Sequence, residues 1–361
     1  MQNKIVAFVF VFVLGVWWTL FSGCKNEPTQ VALDVATKPF QALSKYHFFK
    51  GKLSDLLPNE RVLHYDLISG LFTDYAHKAR FLYVPEGKQV AYDDKEVFDL
   101  PVGSCYIKNF YYPNDFRDLS KGRRIIETRL LVKRENGWEA LDYIWDDDQK
   151  DAKLDVAGDV KKVSWIHDDG KKMEINYVIP NKNQCKGCHW INGKGIMPIG
   201  PKARNLNKDL NYGTETKNQL AMWASSNILS GSPAPNDCPK VADYMDEKES
   251  LDARARAYLD INCAHCHRSE GPAYTSGLLV NFYQDNKEHL GVCKTPVAAG
   301  KGTGDRLYDI VPGHPEKSII VYRMESEDAA IKMPEVGRVL AHKEGVELIS
   351  KWIASLEGEC K

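Results

Sequence analysis

Residues 123–145 read RRIIETRLLVKRENGWEALDYIW. Ile125 to Val132 is apolar and β-branched at several positions, which suits a pleated, half-buried surface. Asn136-Gly137 then gives a hairpin signal, because a two-residue turn needs positive φ at both central residues. Trp138, Ala140, Tyr143 and Trp145 lie on the return strand. The same grammar extends outward. Upstream, Phe81-Leu82-Tyr83-Val84 ends in the turn Pro85-Glu86-Gly87, and Val97 to Leu100 and Ser104 to Tyr112 are further strands. Downstream, Val163 and Trp165 alternate with polar neighbours. Asp168-Asp169-Gly170 turns the chain, and Met173, Ile175, Tyr177 and Ile179 alternate again. That is period two with one buried face. A short helix is expected over Leu53 to Leu57. Short strands with regular turns predict a β-rich, sandwich-like domain or a partly closed barrel over 44–180.

The character changes at Pro180. Leu220, Trp223, Ala224 and Ile228 recur at helical spacing, and Ser250 or Asp246 is placed to cap a helix running through Leu251, Ala255, Tyr258 and Leu259 into Cys263. A short helix is expected from Glu316 to Met324. Val346, Ile349, Ile353 and Leu356 form a helical stripe. Gly231 to Pro239 holds three prolines and reads as a linker between two mainly α units, 181–245 and 246–361.

The first residues read as a targeting segment. Lys4 precedes the uncharged apolar run Ile5 to Phe21, which ends in Leu20-Phe21-Ser22-Gly23-Cys24. A charged start, an apolar middle and small residues before the cut define a signal peptide, here 1–23. Small residues directly before a Cys resemble the bacterial lipobox, which makes Cys24 the lipidated mature N-terminus and 24–43 a tether. The expected location is the cell envelope, as a periplasmic-side or outer-membrane lipoprotein. Lys25 after Cys24, rather than Asp, leans toward the outer membrane under the enteric sorting rule. The 361 residues carry 48 basic and 49 acidic side chains, so the basic excess of a nucleic-acid binder is missing.

Of the nine cysteines, eight besides Cys24 remain to be placed in an oxidising compartment. Four form two tight pairs, CKGCH at 185–189 and CAHCH at 263–267. C-x-x-C-H reads as c-type haem attachment. Two thiols one helical turn apart reach the two vinyl groups of a porphyrin, and the next residue brings its imidazole to the iron. Cys185, Cys188, Cys263 and Cys266 are thus the covalent attachment residues, and His189 and His267 the axial ligands, of two haem c groups. A zinc ribbon expects ~15–20 residues between its Cys pairs, against roughly 75 here. Cys105, Cys238, Cys293 and Cys360 allow three pairings, and sequence does not choose among them.

The second motif comes with supporting residues: Gly271-Pro272, Ile310-Val311-Pro312-Gly313, and Met333-Pro334, 66 residues after His267. Met333 is the expected sixth iron ligand, with His314 and His342 as runners-up. A thioether opposite His favours ferrous iron and raises the potential. At the first motif, Gly200-Pro201 offers a carbonyl for the proximal His. The sixth ligand there stays open among Met197, Met222, Met245 and His167, or the position is vacant. His265 reads as a solvent-side or propionate neighbour. Lys294, Lys301 and Arg306 are candidates to pair with propionates.

The strings NQCKGCH…PIGPKARNLN, RAYLDINCAHCH, GVCKTPVAAGKGTG and YDIVPGHPEKSIIVYRM…MP, with DLPVGSCYIKNFYYP in the β segment, resemble a largely uncharacterised bacterial dihaem c-type cytochrome lipoprotein family typified by a Shewanella hypothetical protein. The resemblance spans about 44–357, and the C-terminal part resembles class I cytochrome c. The expected fold is an α+β multidomain chain: an N-terminal β-rich, sandwich-like domain followed by two mainly α cytochrome c haem domains. It implies haem at the six residues named and Met333 on the second iron. The expected function is electron transfer between redox proteins of the envelope, with a membrane partner through the lipid and no nucleic acid. The alternatives are a dihaem peroxidase or substrate oxidase with an open first haem, or a haem-based sensor or docking module.

Overall fold

The computed structural model describes residues 29–213 and 215–361. Cys24 and the signal segment lie outside the described residues. The centre of the molecule is one antiparallel sheet of six strands: β1 (Val62–Tyr65), β2 (His77–Tyr83), β3 (Cys105–Pro113), β4 (Arg123–Arg134), β5 (Gly137–Trp145) and β6 (Ala152–Asp155). Each strand pairs with its neighbour in sequence. In the β4–β5 hairpin Arg134 pairs with Gly137, so the turn is Glu135-Asn136, one residue earlier than expected, and Gly137 takes φ 122°.

One face carries Phe81, Ile107, Leu130, Val132, Leu141 and Tyr143. It is covered by the preceding chain, through Leu43, Tyr46, Phe48, Leu53 and Leu56. Each such side chain contributes about 1.5–3 kcal/mol on full burial. The tether expected over 24–43 is therefore anchored from Val31 onward: Val31, Leu33 and Val35 pack on this core, and Arg134 Nη1 donates to the carbonyl of Val35 at 2.5 Å. The Leu53–Leu57 helix is a 3-10 turn over Leu53–Asp55.

The other face divides into three rows. At one end Leu82 and Tyr106 meet Leu206, Leu220 and Trp223. At the other end Phe110 meets a ribbon of β7 (Asp159–Ile166) and β8 (Lys172–Ile179), through Trp165, Ile175 and Tyr177. Between them a charged row runs in register across four strands, Arg80–Lys108–Arg129–Asp142. The β segment is thus a single sheet with a two-stranded ribbon against it.

The expectation of two mainly α haem domains is overturned. Beyond Pro180 the described residues hold six α-helices, three of them in the first unit: α1 (Cys185–His189), α2 (Ala203–Leu206) and α3 (Gln219–Ser225). These have five, four and seven residues and alternate with short ribbons such as β9 (Trp190–Ile191) with β10 (Gly195–Ile196). Their apolar side chains join the sheet's core, so 181–245 is a layer on the sheet with no helical core of its own. The reason lies in the sequence. Gly193, Gly195 and Gly213 hold positive φ, and such positions turn the chain before a helix can lengthen. The proline-rich linker is pinned too: the Asn207 side-chain amide donates to the carbonyls of Pro235 and Cys238.

The second unit has α4 (Leu251–Asn262), α5 (Ile319–Glu325) and α6 (Lys343–Ala354). Ser250 caps α4, its Oγ accepting from Ala253 N–H at 3.3 Å. From Cys263 to Ser318 there are only loops and 3-10 turns, in a stretch rich in Gly and Pro. A disulfide joins Cys293 and Cys360, while Cys105 and Cys238 are buried free thiols. No helix among the described residues is long and apolar enough to cross a membrane.

Candidate functional site

The two Cys-x-x-Cys-His motifs meet. Cys266 Sγ lies 3.3 Å from the carbonyl of Gly187, and the ligand atoms of Cys188, His265 and Cys266 all fall within 4.8 Å of one another. Three further ties fix the segments around the motifs, two between those segments and one from the second to the β domain. Asn192 N–H, in the β9–β10 turn, donates to the Glu270 carbonyl at 2.8 Å. Arg204 on α2 grips Asp260 on α4 through Nε at 3.1 Å and Nη2 at 2.7 Å, with its side chain only 2% exposed. Arg268 pairs with Glu96 at 3.1 Å. Between the motifs lies a cleft of about 250 Å³ lined by Cys188, His189, Met197, Lys202, Asp260 and His265.

Each motif histidine is held in one tautomer. His189 Nδ1 is 2.8 Å from the carbonyl of Met197, which only accepts, so Nδ1 carries the proton. His267 Nδ1 is 3.3 Å from Ser276 Oγ. That hydroxyl gives its own proton to the Ala273 carbonyl at 2.7 Å, so it accepts from His267. In both rings Nε2 keeps its lone pair. Burial pulls both imidazoles down to about 4, despite the bonds to the Met197 and Leu278 backbone, so both are neutral at physiological pH. A neutral imidazole with its other nitrogen donated to an acceptor is the usual state of a metal ligand.

The sulfurs behave differently from one another. A hydrogen bond shared with Cys266 brings the Cys188 thiol down to about 4, against burial and with help from His265. The same bond, with burial, pushes Cys266 up. His265 is half-buried between the motifs, and its Nδ1 has no partner. It is not at the solvent-side position expected of it.

Met333 is half-buried in a loop laid against both motifs. Its neighbour Val336 approaches Gly187, where a Cβ would stand 3.6 Å from Val336 Cγ2. The loop is fixed by a group that sequence reading missed. Arg338, 5% exposed, donates to the carbonyls of Met333 (2.9 Å), Arg323 (3.1 Å), Met324 (3.1 Å), Ser326 (3.0 Å) and Leu340 (3.0 Å). Asp74 from the β domain accepts from Val339 and Leu340 N–H, each at 2.8 Å. The runners-up stand elsewhere. His314 is exposed beside Glu316, and His342 stacks on Phe72 with Nδ1 3.2 Å from the Tyr258 hydroxyl.

At the first motif the acceptor for the proximal histidine is the Met197 carbonyl, not Pro201. Of the four expected sixth-ligand candidates, Met197 lines the same cleft as His189. Met197 serves through its backbone on the Nδ1 side, and both it and Met222 pack in the sheet's core. Met245 is 54% exposed. His167 accepts from Trp165 Nε1–H at 3.3 Å and sits against Tyr75 and Phe116. Of the propionate candidates, Lys294 is paired with Asp309 at 3.3 Å and Arg306 lies over the Tyr322 ring at 4.3 Å, while Lys301 is exposed.

The donor set discriminates between cofactors. Cys188, His265 and Cys266 together are a soft three-ligand set for a single ion. That arrangement leaves out Cys185, Cys263, His189 and His267. A porphyrin at each motif engages all six attachment and ligand residues, and both histidines are already in the tautomer it needs. The residues fit two haems better than one zinc ion. Comparison with protein-family models, curated proteins and solved structures finds no match to this chain.

Proposed function

We propose that the protein binds two haem c groups, at Cys185-Cys188-His189 and Cys263-Cys266-His267, and relays electrons between them and redox partners at the cell envelope. The observation that carries this reading is the contact between the motifs, Cys266 Sγ against the Gly187 carbonyl. Bound haem supplies a one-electron couple at each site. The protein's own part is to hold two neutral imidazoles, four thiols and the Met333 loop in a fixed relation. The Arg204–Asp260 and Asn192–Glu270 ties keep that relation rigid, which suits transfer without rearrangement. Met333 is the group we assign to the second iron, where a thioether raises the potential.

The lipobox-like segment ending at Cys24 supports export and lipid anchoring. The Cys293–Cys360 disulfide agrees with an oxidising compartment. The test is a pyridine haemochrome assay on the purified chain, with metal analysis alongside. Two haems c per chain are expected. Zinc without haem would favour the Cys188–His265–Cys266 set and end the relay reading.

A further inference from the structure

The four motif thiols do not face one another in the pairs their spacing suggests. Cys185 Sγ turns to the Asn181 carbonyl at 3.7 Å and lines a small pocket with Asp142, Leu154 and Lys182. Cys188 instead lines the cleft it shares with His189 and His265. In the second motif Cys263 packs on the helical core, while Cys266 Sγ reaches across to the Gly187 carbonyl. The pair of sulfurs brought together is therefore Cys188 with Cys266. Their Sγ atoms and a ring nitrogen of His265 all lie within 4.8 Å of one another.

Backbone and buried charge hold that approach. Asn192 N–H donates to the Glu270 carbonyl at 2.8 Å, and Arg204 pairs with Asp260 at 2.7 Å. Asn192 is four residues beyond Cys188 and Glu270 four beyond Cys266, so their bond brackets the two thiols. Both thiols are free and half-buried, whereas Cys105 and Cys238 are buried. The chain already carries one disulfide, Cys293–Cys360, and disulfides persist in oxidising compartments. The sulfurs of a disulfide stand about 2.05 Å apart, so rotation about the two side-chain bonds closes the remaining gap.

We propose that Cys188 and Cys266 form a disulfide in the chain before haem is attached. Cys188 gives its thiol proton to water and attacks a disulfide oxidant of the compartment. Cys266 then loses its proton and displaces the oxidant's sulfur. One S–S bond forms and one breaks, two electrons pass to the oxidant, and its two thiolates take up the two protons. A bond within one motif disables that motif alone. The bond between motifs takes a thiol from each, so a single oxidation closes both to covalent haem until a dithiol reductant cleaves it. That consequence rests on the dihaem reading above; the bond itself does not.

The experiment uses the full chain produced without haem attachment, stripped of metal with EDTA and treated with oxidised glutathione. Trypsin cuts after Lys186 and so separates Cys185 from Cys188. Mass spectrometry without reduction is expected to find residues 187–194 joined to residues 257–268, and dithiothreitol should release the two peptides. Cys266→Ala should abolish this link, and Cys263→Ala should keep it. Residues 183–186 joined to 187–194 would overturn the proposal, as would the absence of any link between the motifs or a link that survives Cys266→Ala. Each of these leaves the dihaem reading standing, because that reading is tested by the haemochrome count of the chain matured with haem. The cross-link found together with a count of zero would retain the disulfide and remove the relay.

Discussion

The first motif stands on a five-residue helix between short ribbons and lies against a β-sheet, whereas the second ends a twelve-residue helix and lies among helices. The same five-residue chemistry is carried by unlike supports. The supports differ in what each can offer the iron. The helical unit presents a loop methionine fixed by Arg338. The sheet presents the charged row Arg80–Lys108–Arg129–Asp142 at fixed spacing. Function sits in the site, and the fold behind it decides which distal group is within reach.

The difference can be broken most forcefully at the joint between the two supports. Arg204→Met leaves Asp260 buried without its partner. Removing one member of a buried pair costs about 3–5 kcal/mol, and thermal unfolding should separate into two steps. A single transition shifted by less than about 1 kcal/mol, the worth of an exposed pair, would show that the joint is not what couples the units.

Next in size is the disulfide. Cys293 and Cys360 are 67 residues apart, and closing a loop of that length stabilises by about 4 kcal/mol. In a Cys293→Ala/Cys360→Ala protein, hydrogen exchange should rise over α4 to α6 and stay unchanged in the six-stranded sheet. Equal loss of protection in both would mean that the two supports fold as one.

Arg338→Lys is expected to act on the second site alone. A single ammonium does not reproduce a fork that meets five carbonyls, and the cost is about 2–3 kcal/mol for the acceptors left unsatisfied. With Met333 less firmly placed, one haem should fall in midpoint potential and begin to bind CO. Movement of both potentials would contradict the separation drawn here.

The smallest effect is a pH dependence in the sheet. Burial, with the Glu127 charge, raises the Asp142 carboxyl well above its ordinary value. A carboxyl raised in the folded state makes stability fall as pH climbs from the unfolded value, ~3.9, through the folded one. That penalty is absent below the unfolded value and grows as pH rises above it. Asp142→Asn should therefore be more stable than wild type at pH 7, on the order of 1 kcal/mol, and no more stable near pH 3. Denaturant titrations at the two pH values check the sign.

The strands were readable because alternation is a local signal. Ile125–Val132 and the Met173–Ile179 run lie on strands as expected. The helical units were overread. Leu220 and Trp223 do share a helix face, but α3 ends at Ser225, and Ile228 enters the core from a following loop. Helical spacing over eight residues fits one short helix on a sheet as well as a bundle. The two Cys-x-x-Cys-His strings were legible because each is five residues in order. What surrounds them was not, because it arrives from far along the chain: Glu96 reaches Arg268 across 172 positions, and Arg338 acts through backbone carbonyls that no motif records.

The meander topology has a consequence for the order of assembly. Every strand of the main sheet pairs with its sequence neighbour, so its contacts are local, and local contacts form fast. Residues 29–155 can collapse before the later chain arrives. The later chain then closes over the first motif through Glu270, Asp260 and Val336. The period between those two events is when Cys185 and Cys188 are reachable by an attachment enzyme. On the dihaem reading, the first site is loaded before the second half docks, and a variant that speeds docking should emerge with one haem instead of two.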